Sequence, residues 1–120
     1  MKYDVIIIGA GPSGIFCVYE LKRQKPDMIL MIEKGRSIEK RQCPKRITGE
    51  CMGCKPCSIT TGFAGAGAFS DGKLSMSPDV GGNLPEILGY NETISLLRES
   101  DQIYLDFGAD QKVYGIDKEK

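Results

Sequence analysis

The sequence predicts an α/β fold built on parallel strands, and three observations in its first 33 residues lead to that prediction. Residues 3–8 contain a continuous apolar run of the kind found in buried parallel strands. Three glycines spaced GxGxxG follow at once in Gly9–Gly14. A second apolar run, Met28–Ile32, then ends at the acidic residue Glu33. Strand, glycine turn, helix, strand and acid in this order are the fingerprint of a dinucleotide-binding βαβ unit.

The elements of this unit follow from its hydrophobic pattern. We expect strands at residues 3–8 and 28–33, joined by a helix at residues 12–24. A right-handed crossover makes the two strands parallel. We expect one face of this helix to pack against the sheet. Residues at the helical spacing i, i+3, i+4 and i+7 form that face, and they are Gly14, Cys17, Val18 and Leu21. Cys17 is therefore predicted to be a buried core thiol.

The rest of the chain divides into a long irregular region and a helix. Residues 34–85 show no regular period and are rich in glycine and cysteine, which favours a functional loop region. Residues 86–120 form a helical segment, with the helix itself at 91–107, capped by Asn91 and ended by Gly108. One face of that helix carries Leu96, Ser100, Ile103 and Phe107. Residues 110–120 are compatible with the start of a further strand.

Each residue of the glycine turn has a physical role in such a unit. Gly9 permits the tight turn out of the strand, and Gly11 lets the backbone approach a pyrophosphate. Gly14 allows the helix to pack close to the strand, while Pro12 suits the first helical turn. The helix N-terminus offers free N–H groups to phosphates. Glu33 can accept hydrogen bonds from a ribose, and its charge disfavours the 2′-phosphate of NADP.

The composition excludes several classes of function. The 16 basic and 16 acidic residues balance, so nothing indicates a nucleic-acid or membrane partner. The chain contains no histidine, which excludes histidine-based catalysis or metal ligation within these 120 residues. The apolar runs are the length of strands and no signal-peptide pattern is present, so we expect a cytoplasmic protein.

Four of the five cysteines form a second motif, with the spacing C-x7-C-x2-C-x2-C. They are Cys43, Cys51, Cys54 and Cys57. The two x2 spacings favour thiolate ligation of an iron–sulfur cluster or of zinc. A dithiol or disulfide linked to a flavin, or plain structural thiols, are the alternatives. The order of the cysteines differs from the ferredoxin pattern, in which the Cys-Pro pair comes last.

A second glycine-rich segment covers residues 62–73 and contains Gly62, Gly65 and Gly67 among small residues. Its backbone can lie flat against a ligand and offer N–H groups to an anion or a flavin ring. The aromatic residues Phe63 and Phe69 argue against a merely flexible linker.

Taken together, these motifs resemble a known family. The turn Gly9–Gly14 followed by Ile32–Gly35 resembles the FAD-binding half of the glutathione-reductase-like flavoproteins. The combination of Glu33–Arg41, the Cys43–Cys57 cluster and Gly65–Leu74 is similar to a narrower family of prokaryotic FAD-dependent dehydrogenases. The resemblance covers essentially the whole chain.

The resemblance implies FAD as the cofactor and assigns its contacts. The residues in contact with the pyrophosphate would be Gly9, Gly11, Ser13 and Gly14, and Pro12 in the same turn is also counted among the cofactor-binding residues. Glu33 would bind the adenosine ribose, and Lys34 and Arg41 would lie near the adenine and phosphates. The flavin side would be approached by Gly65, Ala66, Gly67 and Ser70.

The resemblance also implies a fold that is incomplete here. A Rossmann-like FAD/NAD(P)-binding domain needs about five or six strands, and the sequence supplies two convincing ones. Family members are longer, so the catalytic residues and the substrate side are expected outside this chain. Because too few strands are present to build the whole binding site, the 120 residues alone are expected to retain FAD weakly or not at all and to show no turnover.

Three functions remain open at this point. The first is a flavin-dependent oxidoreductase that passes electrons or hydride through FAD to a small molecule or an electron carrier, with NAD(P)H as a conceivable external donor. The second is a flavin disulfide reductase that uses the Cys43–Cys57 cluster, although no pair in it has the C-x4-C spacing of such enzymes. The third is a non-enzymatic metal-thiolate or nucleotide-binding module.

Overall fold

The structure, a computed structural model, describes residues 2–24 and 28–113. The chain forms two compact units, Met1–Gly72 and Lys73–Lys120, and the predicted 34–85 loop region is divided between them. The combination of helices with a small parallel sheet makes the fold α/β, as predicted.

The first unit is built on one βαβ crossover. Strand β1 covers Val5–Ile8, helix α1 covers Pro12–Gln24 and strand β2 covers Ile29–Ile32. The strands are parallel, with Val5 opposite Ile29 and Ile8 opposite Ile32. The predicted helix at 12–24 and the parallel pairing are confirmed, and the strands are slightly shorter than the predicted 3–8 and 28–33. Within the described residues the sheet has these two strands alone.

One face of β1 is open. Burial alternates along the strand, so that Ile6 and Ile8 are 56% and 85% exposed while Val5 and Ile7 are half-buried. Helix α1 approaches the side of Ile7, whose side chain lies against the position of Gly14. Parallel sheets are normally covered on both faces, and one helix can cover only one of them.

The prediction that Cys17 is a buried core thiol is wrong, because its side chain is exposed. The prediction assumed that the helix face with Gly14, Cys17 and Val18 packs against a wide sheet. A two-strand sheet is too narrow to cover the whole face, and Gly14, Val18 and Leu21 are themselves only half-buried.

The loop region that follows β2 contains only short helical turns. A 3₁₀ turn covers Ile38–Lys40, helix α2 covers Lys45–Thr48, and a second 3₁₀ turn covers Gly65–Phe69. This irregular path agrees with the lack of a period in the sequence.

The second unit is a pair of helices, α3 at Leu84–Leu88 and α4 at Tyr90–Asp106. The helix predicted at 91–107 is therefore confirmed. The predicted cap at Asn91 is wrong, since the helix begins one residue earlier and Gly89 is the capping residue. Thr93 is buried, and its hydroxyl donates to the Gly89 carbonyl oxygen at 2.9 Å, so its polar atom has a partner.

Gly108 terminates helix α4, as the sequence predicts. Gly108 has φ +92°, and its N–H donates to the Leu105 carbonyl oxygen at 2.9 Å. The Ala109 N–H donates to the Tyr104 carbonyl oxygen at 3.0 Å, which completes a Schellman motif. Of the four residues predicted to share one face of this helix, Ser100 and Ile103 are half-buried, whereas Leu96 and Phe107 are 39% and 74% exposed.

Residues 110–113 have no regular structure, and the remainder of the predicted strand, 114–120, lies outside the described residues. Across residues 2–24 and 28–113, no helix has both the length and the apolar character needed to cross a bilayer.

Candidate functional site

The first glycine turn has the geometry that its spacing predicts. Gly9 adopts φ +101°, a conformation open mainly to glycine, and its N–H donates to the Ile32 carbonyl oxygen at 2.7 Å. A Cβ atom at Gly14 would overlap the carbonyl oxygen of Gly9. Gly9 therefore turns the chain between the two strand ends, and Gly14 allows helix and strand to make close contact.

Gly11 differs from its two neighbours because the space around it is open. A Cβ atom built there would meet no other atom within 4 Å. The first helical hydrogen bond runs from the Ile15 N–H to the Gly11 carbonyl oxygen at 3.0 Å. The N–H groups of Ser13 and Gly14 precede it and have no partner within the helix, so they can serve an anion.

Glu33 connects the ends of the two strands. One carboxylate oxygen accepts the Ala10 N–H at 2.8 Å, and the other accepts the Gly35 N–H at 2.8 Å. These two bonds, led by that from Ala10, hold the pKa of Glu33 below its ordinary value, and the charges of Lys34 and Arg41 lower it further against the effect of partial burial. The carboxylate keeps about two of its four acceptor positions for hydroxyl donors.

Replacing Glu33 with glutamine is expected to lower the thermal midpoint at pH 7, because the amide can accept only one of the two N–H groups. A depressed carboxyl pKa adds stability above the pKa of the unfolded chain, about 4.3, and this stability is lost as the pH falls through the lower folded pKa. The difference between E33Q and the wild type should therefore shrink below about pH 4.3. Circular dichroism melts across this range, with the exposed-site variant E50Q as control, test the expectation; a pH-independent difference would contradict it.

The structure brings the second glycine segment against the first. The Ala64 N–H donates to the Ala10 carbonyl oxygen at 2.8 Å. A Cβ atom at Gly65 would lie 3.4 Å from the Gly11 Cα and 3.3 Å from the Pro12 Cδ. The two segments, 50 residues apart in the chain, therefore form one surface at the N-terminus of α1. The sequence linked them only through the family resemblance.

A tight backbone crossing holds the second segment in place. Gly62 is buried with φ +134°, and a Cβ atom there would lie 2.7 Å from the Arg36 carbonyl oxygen. A Cβ atom at Gly35 would overlap the backbone of Gly62. The Phe63 N–H donates to the Arg36 carbonyl oxygen at 3.1 Å. The role of Gly35 is not predicted from the sequence, although a glycine two residues after the strand-end acid Glu33 is a signal for such an approach.

Arg41 is the buried centre of the loop region, with 4% of its surface exposed. Its Nη1 donates to the carbonyl oxygens of Phe63 at 2.6 Å and Gly65 at 2.7 Å. Its Nε and Nη2 donate to the carbonyl oxygens of Ser58 at 2.8 Å and Ile59 at 2.6 Å. Four of its five N–H donors are thus used within the protein. Arg41 thus organises the second glycine segment, and the contact with adenine and phosphates that the family resemblance implies for it stays a prediction.

The other predicted cofactor residues lie on the surface around this point. Ser13, Lys34, Ala66, Gly67 and Ser70 are exposed. The Ser70 hydroxyl donates to the Gly67 carbonyl oxygen at 3.0 Å and accepts the Gly72 N–H at 3.1 Å. These bonds close the end of the second glycine segment, and contact of these residues with FAD stays a prediction.

The four clustered cysteines lie at the surface. Cys51, Cys54 and Cys57 are exposed and Cys43 is half-buried. Within residues 2–24 and 28–113, no three cysteine or acidic side chains come together where they could hold a metal ion. Ligation of zinc or an iron–sulfur cluster by these cysteines stays a prediction.

Cys57 is the cysteine with a distinctive environment. The pKa of its thiol is lowered, chiefly by the backbone N–H groups of Thr60 and Ile59 and further by the Thr60 hydroxyl and the charge of Arg41, against the opposing effect of burial. Its own carbonyl oxygen accepts the Thr61 N–H at 2.9 Å, so Cys57 begins a single helical turn. Such a position stabilises a thiolate.

Comparison with known proteins adds no assignment. No family profile matches this chain, and the searches of curated proteins and of solved structures gave no match to it. The structure thus defines an α/β unit with a glycine-lined surface at a helix N-terminus.

Proposed function

We propose that this chain is the FAD-binding portion of a flavin-dependent oxidoreductase and that its first unit is the opening βαβ element of a Rossmann-like fold. The observation that carries the proposal is the meeting of two glycine segments at the N-terminus of α1, beside the carboxylate of Glu33. FAD, when bound, would supply the electron or hydride transfer.

The first segment fits the ADP half of a dinucleotide. The open space at Gly11 and the N–H groups of Ser13 and Gly14 suit a pyrophosphate, which carries negative charge and several acceptor oxygens. Glu33 lies at the end of β2, where its unused acceptor positions suit ribose hydroxyls. Glu33 is anionic at neutral pH, as its lowered pKa requires, and this charge disfavours a 2′-phosphate.

The second segment supports FAD over a nicotinamide dinucleotide. Its backbone extends the surface beyond the pyrophosphate position: a Cβ atom built at Gly65 would lie 3.4 Å from the Gly11 Cα, and one built at Gly67 would lie 4.0 Å from the Pro12 Cγ. A backbone without bulky side chains suits a flat ring system. The family resemblance of the same residues points to the same cofactor.

An equilibrium titration of the chain with three nucleotides tests the proposal. We expect FAD to bind at least about tenfold more tightly than FMN, which lacks the ADP half, a difference of about 1.4 kcal/mol. NADP⁺ should bind more weakly than NAD⁺, and E33Q should reduce that preference while E50Q leaves it unchanged. Equal affinity for FAD and FMN, or tighter binding of NADP⁺ than of NAD⁺, would contradict the proposal.

A further inference from the structure

A cavity of about 280 Å³ lies in the loop region of the first unit. No acidic residue lines it, whereas six of its lining side chains have N–H or O–H groups that can donate hydrogen bonds. These are Arg36, Arg41, Gln42, Lys55, Ser58 and Thr61. Because three of the six are cationic, the lining combines positive charge with donors that are suited to an anion.

Within residues 2–24 and 28–113, none of the three cations of this lining forms an ion pair. Arg36 and Lys55 are exposed to solvent. Arg41 is buried, and its guanidinium donates to neutral carbonyl oxygens. Burial raises the cost of a charge that has no counter-ion, so an anion in the cavity would stabilise the Arg41 cation.

Arg41 keeps one N–H group for a ligand. Of its five N–H groups, both on Nη1, the one on Nε and one of the two on Nη2 donate to carbonyl oxygens of residues 58–65. The remaining one belongs to Nη2, the atom that holds Ile59 in the turn between the lining residues Ser58 and Thr61. Because these bonds fix the guanidinium before a ligand arrives, little conformational entropy is lost when an anion binds to it.

We propose that this cavity is a binding site for the phosphate group of a small phosphate monoester. Such a group carries a charge of about −1.5 to −2 at neutral pH and has three strong acceptor oxygens. The lining can meet several oxygens at once, because its donors come from two stretches of chain, residues 36–42 and 55–61. The guanidinium of Arg36 can donate to two oxygens of the same phosphate, and the Lys55 ammonium adds a third contact.

The other features of the cavity indicate the size of the ester. Pro44 and Pro56 add apolar surface to the lining, which suits a short carbon skeleton attached to the phosphate. The volume is close to the lower limit of about 300 Å³ that is usual for small-molecule sites. We therefore expect a phosphate ester of a few carbon atoms rather than a nucleotide.

The cavity is separate from the surface that we assign to FAD. Its lining contains no residue of Gly9–Gly14 or of the second glycine segment at 62–73, and it does not contain Glu33. Arg41 contacts both places, since it lines the cavity and its Nη1 donates to two carbonyl oxygens of the second segment. The proposal does not require FAD, so it holds or fails independently of the proposed function.

The test is an NMR titration of the ¹⁵N-labelled full chain with glycerol 3-phosphate at neutral pH and an ionic strength of about 0.1 M, at which long-range charge effects are screened. We expect the backbone amides of Lys55, Ser58 and Thr61 and the side-chain amide of Gln42 to shift with one dissociation constant. Malonate should bind more weakly, because each carboxylate of this dianion offers only two oxygens, and glycerol should cause no shift. FAD should not displace the phosphate ester.

Variants of exposed residues locate the site. Arg36→Gln and Lys55→Gln should each lower the affinity for glycerol 3-phosphate at least about tenfold, since each removes a hydrogen bond between charged groups. Gln42→Glu should lower it at least as much, because it places a carboxylate in the lining. The control is Lys2→Gln, which removes one positive charge from an exposed residue outside the lining and should leave the affinity within about twofold of the wild type.

Circular dichroism spectra verify that these variants are folded. Shifts confined to Gly11, Ser13 and Gly14 would place the phosphate at the helix N-terminus instead of in the cavity. That result, no shift at the cavity amides, displacement by FAD, equal or tighter binding of malonate, or equal losses in Arg36→Gln and Lys2→Gln would overturn the proposal.

Discussion

Replacing Gly14 with alanine is expected to destabilise the first unit by about 3 kcal/mol, at the upper end of the usual cost of overpacking. The added methyl group would overlap the Gly9 carbonyl oxygen, a backbone atom fixed by the turn between β1 and α1. Neither partner can move without separating the helix from the strand. Urea denaturation followed by circular dichroism measures the effect.

Gly11→Ala is the matched control for Gly14→Ala. No atom lies within 4 Å of a Cβ at Gly11, so its stability should stay within about 0.5 kcal/mol of the wild type. The methyl group instead enters the space that we assign to the pyrophosphate, and FAD affinity should fall at least about tenfold. Equal stability of the two variants would contradict the structure of the turn, and unchanged FAD affinity in Gly11→Ala would contradict the assigned position of the pyrophosphate.

Replacing Arg41 with methionine has the second largest expected effect, a loss of about 3 kcal/mol or more. The substitution leaves four carbonyl oxygens of residues 58–65 without their donor at a position that is 4% exposed. Arg41→Lys should restore only part of the stability, because an ammonium group cannot reproduce the planar fork of a guanidinium.

Hydrogen exchange locates the effect of Arg41→Met. The amides of Phe63 and Ala64 donate to backbone carbonyl oxygens across the loop crossing, so they should lose protection in the variant. The neighbouring exposed residue supplies the control, and Lys40→Met should leave these amides protected. Loss of protection that is uniform over the first unit, or none at all, would contradict the role of Arg41 as the organiser of the second glycine segment.

Most of the correct predictions from the sequence concern features that depend on residues close together in the chain. The apolar runs, the GxGxxG spacing and Gly108 each depend on neighbours in the chain, so the βαβ crossover and the end of α4 follow from short-range rules. Burial was less predictable, as Cys17 shows, because it depends on how much sheet is present to cover a helix.

The contacts within the candidate site depend on pairs that are far apart in the chain. Two close backbone contacts, that of Gly65 with Gly11 and that of Gly62 with Gly35, require glycine at these positions. The glycines are the only sign of these contacts in the sequence. The backbone carbonyl oxygens that accept hydrogen bonds from Arg41 cannot be predicted from the sequence, because every residue type carries one. The structural role of a basic residue in such a loop can therefore be found only from the three-dimensional structure.

The most direct test of a shared FAD surface is an NMR titration of the ¹⁵N-labelled chain with FAD, with FMN as the comparison. We expect the amides of Gly11, Ser13 and Gly14 to shift together with those of Gly65 and Gly67, and one dissociation constant should describe both groups. FMN should leave the first group unshifted. Shifts confined to one glycine segment, two unrelated dissociation constants, or the same response to FMN would contradict the proposal that the two segments bind one dinucleotide.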